Sequence, residues 1–495
     1  MKLLVALYCV AAVILMIYGI NCHIMTALFR RAAGRRGRED ARLLEAFYGR
    51  RPPESGCAAA AERLPVVTTQ LPIYNERNVV ERVIEAAARM HYPPGRHEIQ
   101  VLDDSTDDTR QVVARKVAEL RSRGVDIVHL TRATREGFKA GALRDGLASA
   151  RGELTAIFDA DFVPPRNFLL RTAPYFVMNP ALGMVQARWG HLNRRQSLLT
   201  RLQAVGVNGH FMIEQSARSG SGLFLNFNGT AGVFRQKAIM AGGNWQSDTL
   251  TEDMDLSYRI QLAGWKCRYL VDLVAPAEIP GDINAFKNQQ FRWAKGSIQT
   301  AIKLMPRILR SPARPFAKFQ AWMHLTHYLV NPLMLFLALM APPILVSGRL
   351  QLPAAVFALF GVLLLASCSG PSLLYWTAER ALRRPAWKIL LLLPSLVCFG
   401  CGMAVNNTRA VAEALLGRPG SFVRTPKSGD RPIRAYRPAR SRDFGFELFA
   451  GAWCLAGTGA YFQADHYLVG HFLLIYSLGF TSVGLLSWWQ RRRLT

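Results

Sequence analysis

The sequence predicts an α/β domain built on a mostly parallel sheet and joined to an α-helical transmembrane region. Three observations predict this. From Leu64 onward, short β-rich runs alternate with helical patterns, the βαβ signal of a parallel sheet covered by helices. Carboxylate clusters fall directly after two of those runs, at the carboxyl strand ends where such sheets hold ligands. Uncharged apolar stretches crowd both ends of the chain, and several are long enough to cross a hydrocarbon core of ~30 Å.

In chain order, Leu3 to Ile20 carries no charge. Lys2 ahead of it fits a signal peptide, but the run is long for one and no small-residue cleavage site precedes His23. Residues 1–29 are therefore expected to form an uncleaved anchor. Residues 30–63, charged and then rich in Pro, Gly and Ala, read as a basic connector. The 64–310 domain follows. Its expected strands are Val66–Leu71, Ile99–Leu102, Ile127–Leu130 and Leu154–Phe158; its expected helices are Val79–Met90, Thr109–Arg121, Lys139–Ala150 and Arg166–Met178.

A formal net charge of +27 would suit a nucleic-acid binder, but the basic residues flank apolar segments, as at Arg30-Arg31, Arg383-Arg384 and Arg491 to Arg493. That placement is the positive-inside pattern of a membrane protein and argues against nucleic acid as a partner. The eight cysteines are scattered and give no disulfide framework.

Charge also orders the apolar half. Its candidate segments are 323–346, 351–377, 389–408, 448–464 and 466–490. If all crossed, one of the basic loops around 389–408 would be stranded outside. That segment, with Pro394 and Asn406-Asn407, is better placed as an interfacial or re-entrant helix. About five crossings remain: the anchor, two helices in 311–378 and two in 444–495. The catalytic domain and the 379–443 loop are then cytoplasmic, and the chain is a multi-pass protein of the cell membrane.

Asp159-Ala160-Asp161 after a strand suits a hard divalent cation, Mg²⁺ or Mn²⁺, shared with substrate phosphates. Alone it fits turn chemistry better. Its company points to a nucleotide-diphosphate pocket: Asp103-Asp104 at a second strand end, and Lys139 between glycines at a helix start. Asp253, in Thr251-Glu252-Asp253, is the candidate base for an acceptor hydroxyl. The bland alternative is an acidic N-cap, with Thr251 or Glu252 capping while Asp253 faces the cleft. Gln289, Arg292 and Trp293 offer an amide, a cation and an aromatic face for a sugar, or else a membrane-interface belt.

Taken in order, Pro72-x-Tyr74-Asn75-Glu76, Asp103-Asp104-Ser105, Asp159-x-Asp161, Thr251-Glu252-Asp253 and Gln289-x-x-Arg292-Trp293 resemble a membrane-bound family 2 glycosyltransferase of the cellulose synthase superfamily. Phe227 to Gly232 and Phe422 to Lys427 are similar to the cellulose synthase-like mannan and glucan synthases. The resemblance implies a GT-A (Rossmann-like) catalytic domain, a nucleotide-sugar donor such as GDP-mannose or UDP-glucose, inversion, and a β-linked product. By the same resemblance Pro72, Tyr74, Glu76, Asp103, Asp104, Lys139 and Asp159 would hold the nucleotide. Asp159 and Asp161 would hold the metal, and Asp253 would be the base. Glu252, Gln289, Arg292 and Trp293 would line the site of the growing glycan acceptor, and Phe422, Thr425 and Lys427 would belong to a gating loop; Arg424 departs from the usual valine. No cyclic-dinucleotide control is expected. A processive synthase is the leading reading, against a transferase that glycosylates a membrane lipid and an inactive glycan-binding subunit.

Overall fold

The computed structural model describes residues 2–49, 62–346, 354–420, 425, 427, 429 and 443–493. Helix α1 (Lys2–Tyr48) runs from the apolar N-terminal stretch through most of the region expected to be a connector. Arg, Glu, Ala and Leu dominate its second half, and these residues favour helix strongly enough to carry it past Gly34 and Gly37. Its end enters the next domain, where the Tyr48 hydroxyl donates to the Leu170 carbonyl at 2.8 Å and Arg268 pairs with Asp40 at 2.5 Å.

The domain then follows the expected order: β1 (Val67–Ile73), α2 (Val80–Ala88), β2 (His97–Asp103), α3 (Thr109–Ser122), β3 (Ile127–Thr131), α4 (Phe138–Ser149), β4 (Leu154–Ile157) and α5 (Phe168–Met178). Beyond the explicit expectations come β5 (Leu182–His191), α6 (Leu198–Asn208), a π-helical turn (Gly209–Glu214), α7 (Gln215–Ser221), β6 (Gly232–Arg235), α8 (Gln236–Ala241), α9 (Glu252–Leu262), β7 (Lys266–Ala277) and α10 (Ile283–Arg310).

One seven-stranded sheet results, in the order β3-β2-β1-β4-β6-β5-β7. Strands β1 to β4 pair in parallel, while β6 runs antiparallel to both its neighbours. The reversal is set up by Gly229 (φ 83°) and Ala231 (φ 55°), left-handed positions that bend the chain into β6. Apolar side chains cover both faces. Helices α2, α3 and α5 pack on one, and α4, α8 and α9 on the other. Strand β4, central between parallel β1 and antiparallel β6, is buried throughout, as a strand covered on both faces should be.

The second half contains α11 (Pro315–Leu325), α12 (Val330–Val346), α13 (Ala354–Ala381), α14 (Ala386–Gly402), α15 (Ala404–Leu415), α16 (Phe444–Gln463) and α17 (Tyr467–Arg493). Five helical segments among the described residues are long and apolar enough to cross a membrane: Lys2–Ala32, His327–Val346, Gly361–Ala381, Trp387–Leu415 and Tyr467–Arg492. The number equals the expectation but the set differs, including 387–415 and leaving out α16, whose polar and small residues make it less apolar. The 387–415 segment breaks at Met403 into α14 and α15. Both halves lie against the catalytic domain. Ile389 and Leu396 pack with Leu202 and Val205 of α6, and Glu413 pairs with Lys295 of α10 at 2.8 Å.

Candidate active site

Because β1, β2 and β4 are parallel neighbours in one register, their carboxyl ends open on the same edge. A cleft of about 1370 Å³ lies there, extending across to α10. Its walls carry Pro72, Tyr74, Glu76, Asp104, Lys139, Asp159, Asp161, Glu252, Asp253, Gln289, Arg292, Trp293, Thr425 and Lys427. Residues from five separated motifs thus share one cleft that is open to solvent.

Asp103 is the exception. It is 1% exposed and does not line the cleft. One carboxylate oxygen accepts from the Ser105 amide at 2.9 Å, and the other meets His129 Nε2 at 2.9 Å. Burial works against its charge, but the His129 and Ser105 hydrogen bonds outweigh it and lower the pKa. Asp103 therefore braces the strand end, while Asp104 faces outward and takes the Arg132 fork at 2.9 and 2.5 Å. Phe422 lies outside the described residues.

Helix α4 begins at Gly137, whose φ of 67° suits glycine. This start delivers Lys139 Nζ to Asp159 Oδ1 at 2.5 Å and to the Gly229 carbonyl at 2.8 Å. Burial works against the Lys139 ammonium, but Asp159 and Glu252 prevail and raise its pKa. Asp161 Oδ2 accepts from Lys427 Nζ at 2.5 Å. Both carboxylates of the Asp-x-Asp pair thus already hold a cation. Their oxygens fit the donor set of a hard divalent ion, which commonly takes one or two carboxylates and completes its shell with phosphates and water. Among the described residues there is no group of three or more His, Cys, Asp or Glu that would cage a metal without such help.

Helix α9 starts at Glu252 with no side-chain cap from Thr251, so of the two capping residues expected Thr251 does not cap. Thr251 packs against α10 instead: a Cβ on Gly296 would fall 2.6 Å from it. This close approach sets Asp253 against the cleft, where its Oδ1 accepts from the Met254 amide at 2.8 Å. Burial, reinforced by the neighbouring Glu252, pushes the Asp253 carboxyl up to about 7. Desolvation raises Glu252 as well, and a half-buried carboxyl pair of this kind suits one member to proton transfer near neutral pH.

On α10, capped by Asp282 at 2.8 and 3.0 Å, Gln289, Arg292 and Trp293 share a face by helical spacing. Arg292 Nη2 donates to Thr425 Oγ1 at 2.9 Å. The Trp293 ring lies 6.5 Å from Trp189, centroid to centroid. Several cleft residues were not expected: Arg135, which stacks 3.4 Å over the Tyr74 ring, and Trp189, His191, Gln203, Asn228 and Glu278. Arg135 lies just before the Glu136-Gly137 stretch and Asn228 inside the Phe227–Gly232 segment, so a signal existed for both. The others lie on β5, α6 and the end of β7, elements the periodicity did not resolve.

Strand-end carboxylates, the half-buried Glu252–Asp253 pair and the Trp293 ring thus line one cleft. Residues 65–296 match the family model "Glycosyltransferase like family 2". A probable glucomannan 4-beta-mannosyltransferase of Oryza sativa is 34% identical over 92% of this chain and 88% of the relative. A glucomannan 4-beta-mannosyltransferase of Arabidopsis thaliana is 41% identical over 54% of this chain, and that match spans 49% of the relative. Among solved structures, a mannosyltransferase from Pyrobaculum calidifontis in complex with GDP-Man and Mn²⁺ shares the fold with a TM-score of 0.50. It is 21% identical, over 82% of this chain and 100% of the other. The chain belongs to the family 2 glycosyltransferases of the cellulose synthase superfamily, alongside the cellulose synthase-like mannan synthases. It is a multi-pass membrane hexosyltransferase with a GT-A-like mixed sheet.

Proposed function

We propose that the protein elongates a β-linked mannan or glucomannan by transferring mannose from a nucleotide sugar, GDP-mannose in the first instance, and passes the product through its own membrane helices. The observation that carries this reading is that Asp253 and Trp293 open into one cleft with the Asp159/Asp161 pair. Similarity over 92% of the chain to a glucomannan mannosyltransferase supports the sugar and the polymer.

Asp104, Tyr74 and Glu76 hold the nucleoside end, and Lys139 faces the diphosphate. Asp159 and Asp161 would hold Mg²⁺ or Mn²⁺, which when bound neutralises the leaving diphosphate. Trp293 stacks the terminal sugar, with Gln289 and Arg292 beside it. Asp253 accepts the proton of the acceptor hydroxyl as that oxygen bonds to the anomeric carbon. The bond from that carbon to the phosphate oxygen breaks on the opposite face, which inverts the configuration. The basic loops support a cytoplasmic catalytic domain, and Thr425 and Lys427 close over the donor.

The test supplies membranes containing the protein with GDP-mannose or UDP-glucose and Mn²⁺ and analyses the products. The expected product is an insoluble polymer released by β-mannanase. Chloroform-soluble single-sugar lipids without polymer would overturn the synthase reading, and polymer from UDP-glucose alone would overturn the choice of mannose.

A further inference from the structure

The π-helical turn Gly209–Glu214 is a rare conformation that concentrates at functional sites. It packs directly on membrane helix α13, since a Cβ on Gly209 would fall 2.8 Å from Leu374 and Tyr375. Within it, His210 Nδ1 lies 2.8 Å from Glu214 Oε2, and His210 Nε2 lies 3.1 Å from Asn228 Nδ2.

The proton positions follow from the partners. Gln215 Nε2 donates to the Asn226 carbonyl at 2.9 Å and to Asn228 Oδ1 at 2.6 Å. The oxygen of the Asn228 amide therefore faces Gln215 and its NH₂ faces His210. An amide NH₂ can only donate, so His210 Nε2 accepts, and the neutral ring carries its proton on Nδ1, donated to the Glu214 carboxylate. The Asn228 backbone N–H is held too, by Gln186 Oε1 at 3.1 Å. Each amide end of Asn228 uses half its capacity in this way, leaving one N–H and one lone pair at fixed positions on the cleft wall. The next residue is at the transfer point: the Gly229 carbonyl accepts from Lys139, and a Cβ there would fall 3.0 Å from Asp253 Oδ2.

We propose that Glu214 and His210 are positioning residues that lock the Asn228 amide in one orientation beside Asp253, where its free N–H and lone pair bind hydroxyls of the acceptor sugar. The inference rests on the reading of this cleft as a glycosyl-transfer site. A second-row hydrogen bond of this kind acts by geometry, and a misplacement of the order of 1 Å can cost ~10²-fold in rate.

The full-length protein, with GDP-mannose as donor and a β-1,4-linked manno-oligosaccharide as acceptor probe, provides the test. His210→Leu and Asn228→Ala should each raise the acceptor KM about 10-fold or more and leave the donor KM unchanged. The double variant should be no worse than either single one, because both remove the same contact. His210→Gln, whose amide oxygen can accept from Asn228, should recover most of the loss. Glu214→Gln keeps the packing but frees the tautomer, and should raise the acceptor KM severalfold even if His210→Leu does not fold. A wild-type acceptor KM in Glu214→Gln, or losses that add in the double variant, would overturn the proposal. Absence of any transfer by the wild-type protein from GDP-mannose or UDP-glucose would instead sink the glycosyl-transfer reading and this inference with it.

Discussion

The two ends of the cleft, proposed above to take donor and acceptor, are built by different means. The donor end hangs on strand ends of one sheet: Asp104 after β2, Asp159 and Asp161 after β4, and Lys139 at the start of α4. Their partners, apart from Lys427, come from the same domain. The acceptor end hangs on a single helix, α10, whose outer sides are gripped from the membrane half. Lys287 Nζ donates to Glu447 of α16 at 2.6 Å, Asn406 of α15 donates to the Lys287 carbonyl at 3.0 Å, and Lys295 reaches Glu413 of α15. A soluble fold can complete the first end by itself. The second is placed by helices that answer to the bilayer, so acceptor geometry is where membrane and chemistry meet.

The largest effect should come at the junction of the two ends. Asp253→Asn removes the proposed base, a loss of about 10²–10⁴-fold in kcat, while nucleotide binding, measured by calorimetry with GDP, should persist because the donor end is intact. Loss of GDP binding in this variant would break the division between the ends. The sign with pH follows from the carboxyl held at about 7. Only the ionised form accepts a proton, so kcat/KM should be full above that value and fall as the pH drops through it. Stability runs the other way. A carboxyl whose folded pKa is raised contributes stability that is complete below its unfolded value near 3.9 and lost as the pH rises through about 7. Metal-free Asp253→Asn should accordingly melt higher than the wild type at pH 8, with the gap narrowing as the pH falls and closing below about pH 4.

The same contrast governs how much was legible in the sequence. Strands β1 to β4 alternate with helices of ordinary length, so period and turn residues placed them within a residue or two. The donor acids fell at their ends by the rule for parallel sheets. Asp103 shows the limit: two adjacent aspartates at a strand end must point opposite ways, and nothing local says which one faces inward. Strand β6 was hidden because it runs antiparallel between distant partners. The α1 continuation was hidden because its charged half looks like a linker until Tyr48 and Asp40 find partners in the domain. At the acceptor end, the QxxRW spacing named the face of α10 but not its supports. Lys287 sits in a polar run, Asn406 beside Asn407 and Glu447 alone in an apolar one, and only tertiary contact reveals them as a clamp.

That clamp supplies the next test. The Lys287 and Glu447 side chains are both fully buried. Lys287→Met strands the Glu447 carboxylate, which costs about 3–5 kcal/mol when one partner of a buried pair is removed. The variant should melt lower in detergent, and its acceptor KM should rise with little change in donor KM. Replacing both residues, Lys287→Met with Glu447→Leu, should regain most of the stability, since well-packed apolar pairs often match a buried ion pair. Equal shifts in both KM values would show that α10 is not the separate support assigned to it.

The smallest effect concerns a pair of residues, Thr425 and Lys427, that touch both ends. Thr425 accepts from Arg292 at the acceptor end, while Lys427 holds Asp161 at the donor end and also donates to the Glu278 carbonyl at 3.2 Å. A divalent cation needs the Asp161 oxygen that the ammonium occupies, so the two compete. With side chains only 12% and 6% exposed, the pair should be worth at least the ~1 kcal/mol upper end for exposed contacts, or roughly a fivefold change in affinity. Lys427→Gln should therefore lower the half-saturating Mn²⁺ concentration a few-fold, measured by Mn²⁺ electron paramagnetic resonance on the donor-free protein. An unchanged Mn²⁺ titration would mean that Lys427 and the metal do not share Asp161. The loop would then join the two ends through Thr425 and Arg292 alone.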